Sequence, residues 1–197
     1  MNLAMSAKAV PLFEAVKTFI KNEIDPITAE YFRLGEGRPD RWQYGKGQLE
    51  LLTSVKAKAK KAGLWNFFLP NAETGEGLSN LDYAYIANEL GKNPIASECF
   101  NCSAPDTGNM EVLERVGTPE QKKRWLEPLL AGEIRSAYAM TEPDVASSDA
   151  KNLECRAVKD GDEWLINGEK FYISGAGDPR CKILICMLRT SQDGPPH

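Results

Sequence analysis

Residues 138–150, YAMTEPDVASSDA, set a hydroxyl, a carboxylate and a proline side by side at Thr141, Glu142 and Pro143, with Ser147, Ser148 and Asp149 close behind. Proline fixes φ and has no N–H to donate, so an extended segment entering at Tyr138 halts at Pro143 and leaves polar groups at the stop. Metal ligation, nucleophilic catalysis, carboxylate acid–base work, cofactor binding or a well-capped turn would each suit such a cluster. Metal ligation is poorly served: Cys99-x-x-Cys102 is the one pair at ligand spacing, and a structural zinc site wants four Cys or His ligands. The only histidine is the terminal His197, which removes Ser-His-Asp and Cys-His arrangements unless that residue serves. Glu142, Asp144 and Asp149 could form a hydrolytic acid–base pair. Carboxylates this close in sequence more often cap turns, and Glu142 reads better as half of a structural ion pair. No residue is assigned as catalytic or as a metal ligand.

A phosphate cradle fares no better. Gly175-x-Gly177 continues to Arg180 without a third glycine, and a strand-like run follows where a dinucleotide motif needs a helix. A flavin remains. Its ring needs hydrogen-bond donors along the pyrimidine edge and at N5, and a flat apolar wall. Tyr138, Ala139, Met140 and Thr141 offer an edge of backbone groups with one hydroxyl. Tyr172, Ile173 and Ser174 offer an aromatic ring and a second hydroxyl, expected on another strand. From these residue types alone, a capped turn and a cofactor edge both stay open.

The elements that must carry these residues divide by period. Leu12, Val16, Phe19, Ile20 and Ile24 recur at helical spacing up to Pro26, where the helix is expected to stop. A polar connector, 35–47, precedes a helix marked by Leu49, Leu52, Val55 and Ala59 and closed by Gly63. The basic run from Lys56 to Lys61 reads as its solvated face. Leu64–Pro70 is apolar enough to line the core. Ser79 should cap the next helix, with Asp82 three residues on, and further short helices are expected near Pro94 and over 106–117. Thr118-Pro119-Glu120-Gln121 has the composition of a capping box with proline at the first helical position, and Gly132 should end that helix. The period then changes to two. Leu153, Cys155 and Ala157 alternate with polar residues, 159–162 turns, Asn167-Gly168 is a hairpin signal, and 169–174 and 182–189 read as strands. Cys181 and Cys186 suit buried packing. This is an α+β chain: helices over 1–134, followed by an antiparallel meander over 135–197.

Composition bounds the partners. The net charge of −4 gives no electrostatic footprint for nucleic acid or an anionic membrane. Ile183–Leu188 is the longest purely apolar run, far short of the roughly 20 residues of a membrane span. Five cysteines, an odd number, do not suggest a disulfide framework. With no signal peptide visible, the expected setting is the cytoplasm of a bacterium, or the mitochondrial matrix or peroxisome of a eukaryote, and not the secretory route.

Two spaced motifs carry a resemblance that covers the whole chain. Gly117-Thr118-Pro119-Glu120-Gln121-Lys122, then Leu129-x-x-Gly132-Glu133, then Tyr138-Ala139-Met140-Thr141-Glu142-Pro143 resemble the N-terminal signature of the acyl-CoA dehydrogenase family. Gly168-x-Lys170-x-Tyr172-Ile173-Ser174-Gly175 is similar to its second motif. The resemblance implies an FAD enzyme that dehydrogenates an acyl-CoA thioester at its α and β carbons and passes electrons to an electron-transfer flavoprotein. It implies that the Tyr138–Thr141 strand binds the pyrimidine edge, that Tyr172 packs on the ring, that Ser174 bonds near N5, and that Ser147 contacts acyl-CoA and cofactor. Where the family usually has Gly-Ala-Gly-Ser-Asp after the proline, this chain has Asp144-Val145-Ala146-Ser147-Ser148-Asp149. That variant resembles a subgroup found in bacteria and in large multidomain vertebrate members. The resemblance also implies that 1–134 form the family's all-helical N-terminal domain and that 135–197 are an incomplete, antiparallel β-barrel-like middle domain; the family's C-terminal helical bundle, which holds the glutamate base, much of the adenine-dinucleotide site and the tetramer or dimer interface, has no counterpart in this sequence. The 197 residues alone are therefore expected to be inactive. A naturally short, non-catalytic acyl-binding or assembly module, and an acyl-CoA oxidase of the same superfold, are the alternatives.

Overall fold

The structure is a computed structural model that describes residues 3–191; His197 and the expected cut in the sheet near 192–194 lie outside the described residues. The chain forms two compact units, one up to Gly117 and the other from Thr118.

The first unit is helical. Helix α1 (Ala9–Phe19) runs through a π-helical segment (Ile20–Ile24) into α2 (Asp25–Leu34), followed by α3 (Gln48–Lys61), α4 (Asn80–Leu90), the short α5 (Ala96–Cys99) and α6 (Asp106–Val116). The first helix does not stop at Pro26. A proline inside a helix clashes with the carbonyl four residues back and lacks the N–H to bond it. Here the turn before it is widened: the Asp25 N–H donates to the Ile20 carbonyl five residues back, and the chain passes the ring without breaking. Ser79 caps α4, its hydroxyl accepting from the Asp82 N–H at 3.1 Å, and the Asp82 carboxylate in turn accepts from the Ser6 N–H at 2.7 Å. Gly63 ends α3 in the left-handed conformation, with Leu64 N–H bonded to Ala59 O across the turn at 2.9 Å.

The core of this unit is aromatic and aliphatic. Phe67, Leu69, Phe100, Ile24, Leu52, Ile86 and Leu90 are fully buried, so the apolar 64–69 segment lines the core as its composition requires. Phe67 sits 5.5 Å from Phe100 and 6.5 Å from Tyr83, ring centre to ring centre, in tilted contacts. The basic run of α3 is not a solvated face throughout. Lys56 is buried beneath Trp65, the Lys60 ammonium lies 4.6 Å from the same ring, and Lys58 pairs with Glu23 at 2.6 Å. Long aliphatic stems let lysines cover an aromatic surface while keeping their charge near water.

The second unit opens with a helical segment built like α1–α2. Helix α7 (Pro119–Gln121) leads through a second π segment (Lys122–Leu126) to α8 (Glu127–Leu130), and Glu127 N–H again bonds five residues back, to Lys122, just before Pro128. Thr118 and Gln121 make the capping box reciprocally, at 3.3 and 2.9 Å. Gly132, at φ +65°, closes the segment with Glu133 N–H on Pro128 O.

Strands β1 (Arg135–Ala139), β2 (Arg156–Asp160), β3 (Glu163–Asn167) and β4 (Cys181–Cys186) follow. Strands β2 and β3 form the expected antiparallel hairpin about Gly161, whereas β1 pairs with β4 in parallel. The chain leaving β4 bends across to β2: Met187 N–H bonds Ala139 O, then Arg189 exchanges hydrogen bonds with Cys155 and Ala157. Ala137 and Ala139 of β1, and Leu153, Cys155 and Ala157 before and in β2, point inward. Three expectations fail. Residues 169–174 are not a strand, and Asn167-Gly168 does not turn a hairpin; Gly168 (φ +140°), Tyr172 (φ +51°) and Gly175 (φ +83°) break any extended run. Cys186 is exposed and Cys181 half-buried, not core residues.

The helical core yields a test. Phe67→Ala empties a fully buried aromatic site between Phe100 and Tyr83 and is expected to cost about 3–5 kcal/mol in the unfolding free energy of the first unit. Urea denaturation followed by far-UV circular dichroism measures it, and a loss below about 1 kcal/mol would mean that this ring contact is not central to the core.

Candidate functional site

Strand β1 delivers the chain to Met140, Thr141 and Glu142, and Pro143 then turns it away. Glu142 goes inward. Its carboxylate is buried and takes hydrogen bonds from three directions: Glu154 N–H on Oε2 at 2.7 Å, Cys155 N–H on Oε1 at 3.0 Å, and Lys170 Nζ on Oε1 at 2.8 Å. Burial alone pushes this carboxyl up, but the hydrogen bond and charge of Lys170 and the two backbone N–H groups outweigh it and hold it below its ordinary value of 4.5. Glu142 is therefore a fixed anion. It is the structural ion pair its sequence context suggests, and a poor candidate for proton removal.

The same stop organises its neighbours. Ser147 is buried, and its hydroxyl oxygen accepts the Glu142 N–H at 2.8 Å, leaving its own proton to give. Asp149 caps the turn at 150–152 by accepting the Lys151 N–H, while Asp144 and Ser148 are exposed. The Asp144-Val145-Ala146 stretch closes on its own backbone, with Ser147 N–H on Val145 O at 2.8 Å.

The second motif comes back to β1 without forming a strand. Phe171 N–H donates to Thr141 O at 2.9 Å, Lys170 Nζ to Met140 O at 3.0 Å, and Gly175 lies so close to β1 that a Cβ there would sit 3.6 Å from Ser136 O. Residues 171–175 therefore run beside 136–141 in the opposite direction, which brings Tyr138, Ala139, Met140 and Thr141 together with Tyr172, Ile173 and Ser174. Tyr172 is 80% exposed, its ring tilted against that of Phe171 with centroids 4.1 Å apart. Thr141 and Ser174 are exposed as well. Among the described residues, neither the backbone N–H groups of Met140 and Thr141 nor the hydroxyls of Thr141 and Ser174 have an acceptor. The result is an edge of unspent donors beside an uncovered aromatic ring. This donor set fits a planar, acceptor-rich ring with an apolar face.

Both units of the chain match known protein families. Residues 8–133 match the acyl-CoA dehydrogenase N-terminal domain and residues 137–197 the acyl-CoA dehydrogenase middle domain. The chain belongs to the acyl-CoA dehydrogenase family. Its relatives include acyl-CoA dehydrogenase family member 11 of Gallus gallus, 50% identical over 188 residues that make up 94% of this chain and 23% of the relative. Another is the probable acyl-CoA dehydrogenase FadE2 of Mycobacterium tuberculosis, 47% identical over 200 residues covering 100% of this chain and 47% of FadE2. A solved Mycobacterium abscessus structure described as an acyl-CoA dehydrogenase superposes with a TM-score of 0.87 at 49% identity, over 97% of this chain and 48% of that one. The chain thus spans less than half the length of each of these relatives. Both a bacterial protein and a vertebrate one are among them, the two settings named for the Asp144–Asp149 variant. The fold is also shared with a solved FAD complex of PigA, at a TM-score of 0.72 and 23% identity over 98% of this chain and 46% of that one. No helix among the described residues is long and apolar enough to cross a membrane, and none of their His, Cys, Asp and Glu side chains cluster as metal ligands.

Sequence reasoning passed over Lys170. It stands two residues before Tyr172 in a stretch rich in exposed side chains, and nothing in its immediate neighbours marks it as buried. Its signal was long-range: a buried carboxylate at Glu142 requires a cation, and Lys170 is the basic residue of the second motif. Gly168 is not the glycine of a hairpin turn. It is glycine because a Cβ there would stand 2.6 Å from the Cys155 sulfur and 2.8 Å from Cys155 Cα, as well as because of its positive φ.

Glu142→Gln removes the anion while keeping the shape, leaving Lys170 buried without a counter-charge, and is expected to destabilise the second unit by about 3 kcal/mol at pH 7. Because the folded carboxyl titrates below 4.5, its contribution is complete above that pH and fades as the pH falls through the lower folded value. The gap between wild type and variant should accordingly shrink below pH 4.5 in denaturation curves, and a gap that does not change with pH would contradict the ion-pair account.

Proposed function

We propose that this chain provides one side of the flavin site of an acyl-CoA dehydrogenase, with the helical domain taken as 1–134 and the β-domain as beginning at 135. The observation that carries the reading is the unspent donor edge of β1 lying beside the uncovered Tyr172 ring. In this reading the N–H groups of Met140 and Thr141 and the Thr141 hydroxyl donate to the pyrimidine edge, with Tyr138 and Ala139 holding that edge in the sheet. Tyr172 covers one face, and Ile173 and Ser174 flank it, the Ser174 hydroxyl donating near N5. Bound FAD would supply the acceptor for the hydride that leaves the acyl β-carbon. Ser147, closed beneath the Glu142 N–H, has a hydroxyl proton to give to cofactor or acyl-CoA. The boundary near 134 is supported by the matched regions, which end at 133 and resume at 137.

The α-proton must leave to a carboxylate, and no residue in this chain is assigned that task. What supports the exclusion of Glu142 is its three hydrogen bonds and its buried cation. The reading takes acyl-CoA as substrate, an electron-transfer flavoprotein as electron acceptor and a homo-tetrameric or dimeric assembly, with family membership as its support, and makes the whole protein a flavoprotein oxidoreductase of fatty-acid β-oxidation.

Within a full-length version that carries the base, titration with FAD, followed by visible absorbance and by anaerobic bleaching on addition of an acyl-CoA, tests the reading. Thr141→Val and Ser174→Ala each remove a donor worth about 1 kcal/mol, so each is expected to weaken FAD binding or slow its reduction roughly fivefold. Full flavin affinity and full reduction rate in both variants would refute the assignment of those hydroxyls. A protein that takes up no flavin would favour the non-catalytic acyl-binding or assembly module, and reoxidation by dioxygen as fast as by the flavoprotein acceptor would favour the oxidase.

A further inference from the structure

We propose that Lys170 is a positioning residue for the cofactor edge, the anchor that sets the Tyr172–Ser174 segment against β1. The inference rests on the flavin reading above and adds to it a residue that touches neither ring nor substrate.

The ammonium of Lys170 joins two separate pieces of backbone. It donates to Met140 O at 3.0 Å and to Glu142 Oε1 at 2.8 Å, and its side chain is only 13% exposed. Glu142 cannot follow a moving lysine, because the Glu154 and Cys155 N–H groups hold both its oxygens. On one side of Lys170, Gly168 is packed against Cys155; on the other, Phe171 N–H is bonded to Thr141 O at 2.9 Å. Residues 168–171 are thus pinned along their length.

Beyond Phe171 the backbone is held differently: among the described residues its hydrogen bonds from Tyr172 to Pro179 are local ones, Ala176 N–H on Ile173 O, Asp178 N–H on Gly175 O and Cys181 N–H on Asp178 O, until Arg180 O accepts from Arg135 N–H. Tyr172 itself stands at φ +51°, a conformation that a bulky L residue adopts only where its surroundings impose it. The imposed direction of entry comes from the anchored 168–171 stretch, and the placement of the Tyr172 ring and Ser174 hydroxyl follows from it. A lysine that only neutralised Glu142 would not need to reach Met140 O as well. That second bond ties the loop to the residue whose N–H belongs to the donor edge.

The test compares wild type, Lys170→Met and Lys170→Arg in the full chain. Amide hydrogen exchange over 168–176 should quicken at least tenfold in Lys170→Met, while α3 and α4 keep their protection. Lys170→Arg keeps the charge, so it should fold and pair with Glu142, yet place the loop imperfectly and give an intermediate value. With FAD, the Met variant should bind about tenfold more weakly and show altered visible circular dichroism of the bound flavin, partly restored in the Arg variant. Unchanged exchange in Lys170→Met would overturn the anchor. Faster exchange with unchanged FAD affinity and dichroism would overturn the positioning role. A wild-type protein that takes up no FAD would sink the flavin reading and reduce Lys170 to a structural pair, a result the exchange data separate from failure of the anchor itself. Should Lys170→Met lose protection throughout the β2–β3 hairpin, the Arg variant alone decides by the same criteria.

Discussion

A single buried carboxylate organises the second unit. Glu142 sits where β1 ends, and the segment entering β2, at Glu154 and Cys155, and the returning loop, at Lys170, both reach it. None of these segments is joined to the end of β1 by a continuous ladder there. A buried anion tolerates neither a missing donor nor a missing counter-charge, so its demand for partners specifies the position of each. Hydrophobic burial could not do this as sharply in a region where β3 is exposed along its whole length and the returning loop is mostly exposed. Direction, which apolar contact lacks, comes from the charge.

Elements with strong local chemistry were readable from sequence. The capping box at Thr118–Gln121, the Ser79 cap, the glycine ends of α3 and α8 and the inward alternation of Leu153, Cys155 and Ala157 each follow from interactions within a few residues. The failures share a cause. Residues 169–174 have strand-like composition, yet Gly168 and Tyr172 take backbone conformations set by contacts with Cys155 and Thr141, far away in sequence. The parallel pairing of β1 with β4 and the burial of Lys56 beneath Trp65 are likewise tertiary outcomes.

The candidate site shows the same division. The meeting of its two motifs was legible, since the fold brings Tyr138–Thr141 and Tyr172–Ser174 to one edge, whereas Ser147 lies buried against Glu142 N–H. Its mechanics were not. Glu142 could be separated from the chemistry only by argument about spacing, and the lysine that completes it could be recognised only once the buried partner was known. Motifs record which residues meet, whereas the ordering of charge and backbone around them is a property of the folded chain.

The two π segments have a consequence for how this helical architecture can change over time. Each widened turn stands directly before a proline, Pro26 in one case and Pro128 in the other, with the preceding N–H reaching five residues back. A π turn holds one more residue than the α turn it replaces, so deleting that residue would restore regular winding and drive the ring into the carbonyl behind it. Replacing the proline first removes that conflict and leaves the extra residue merely superfluous. The order of events is therefore fixed: substitution must precede deletion, and lineages that shorten either helix should already have lost its proline.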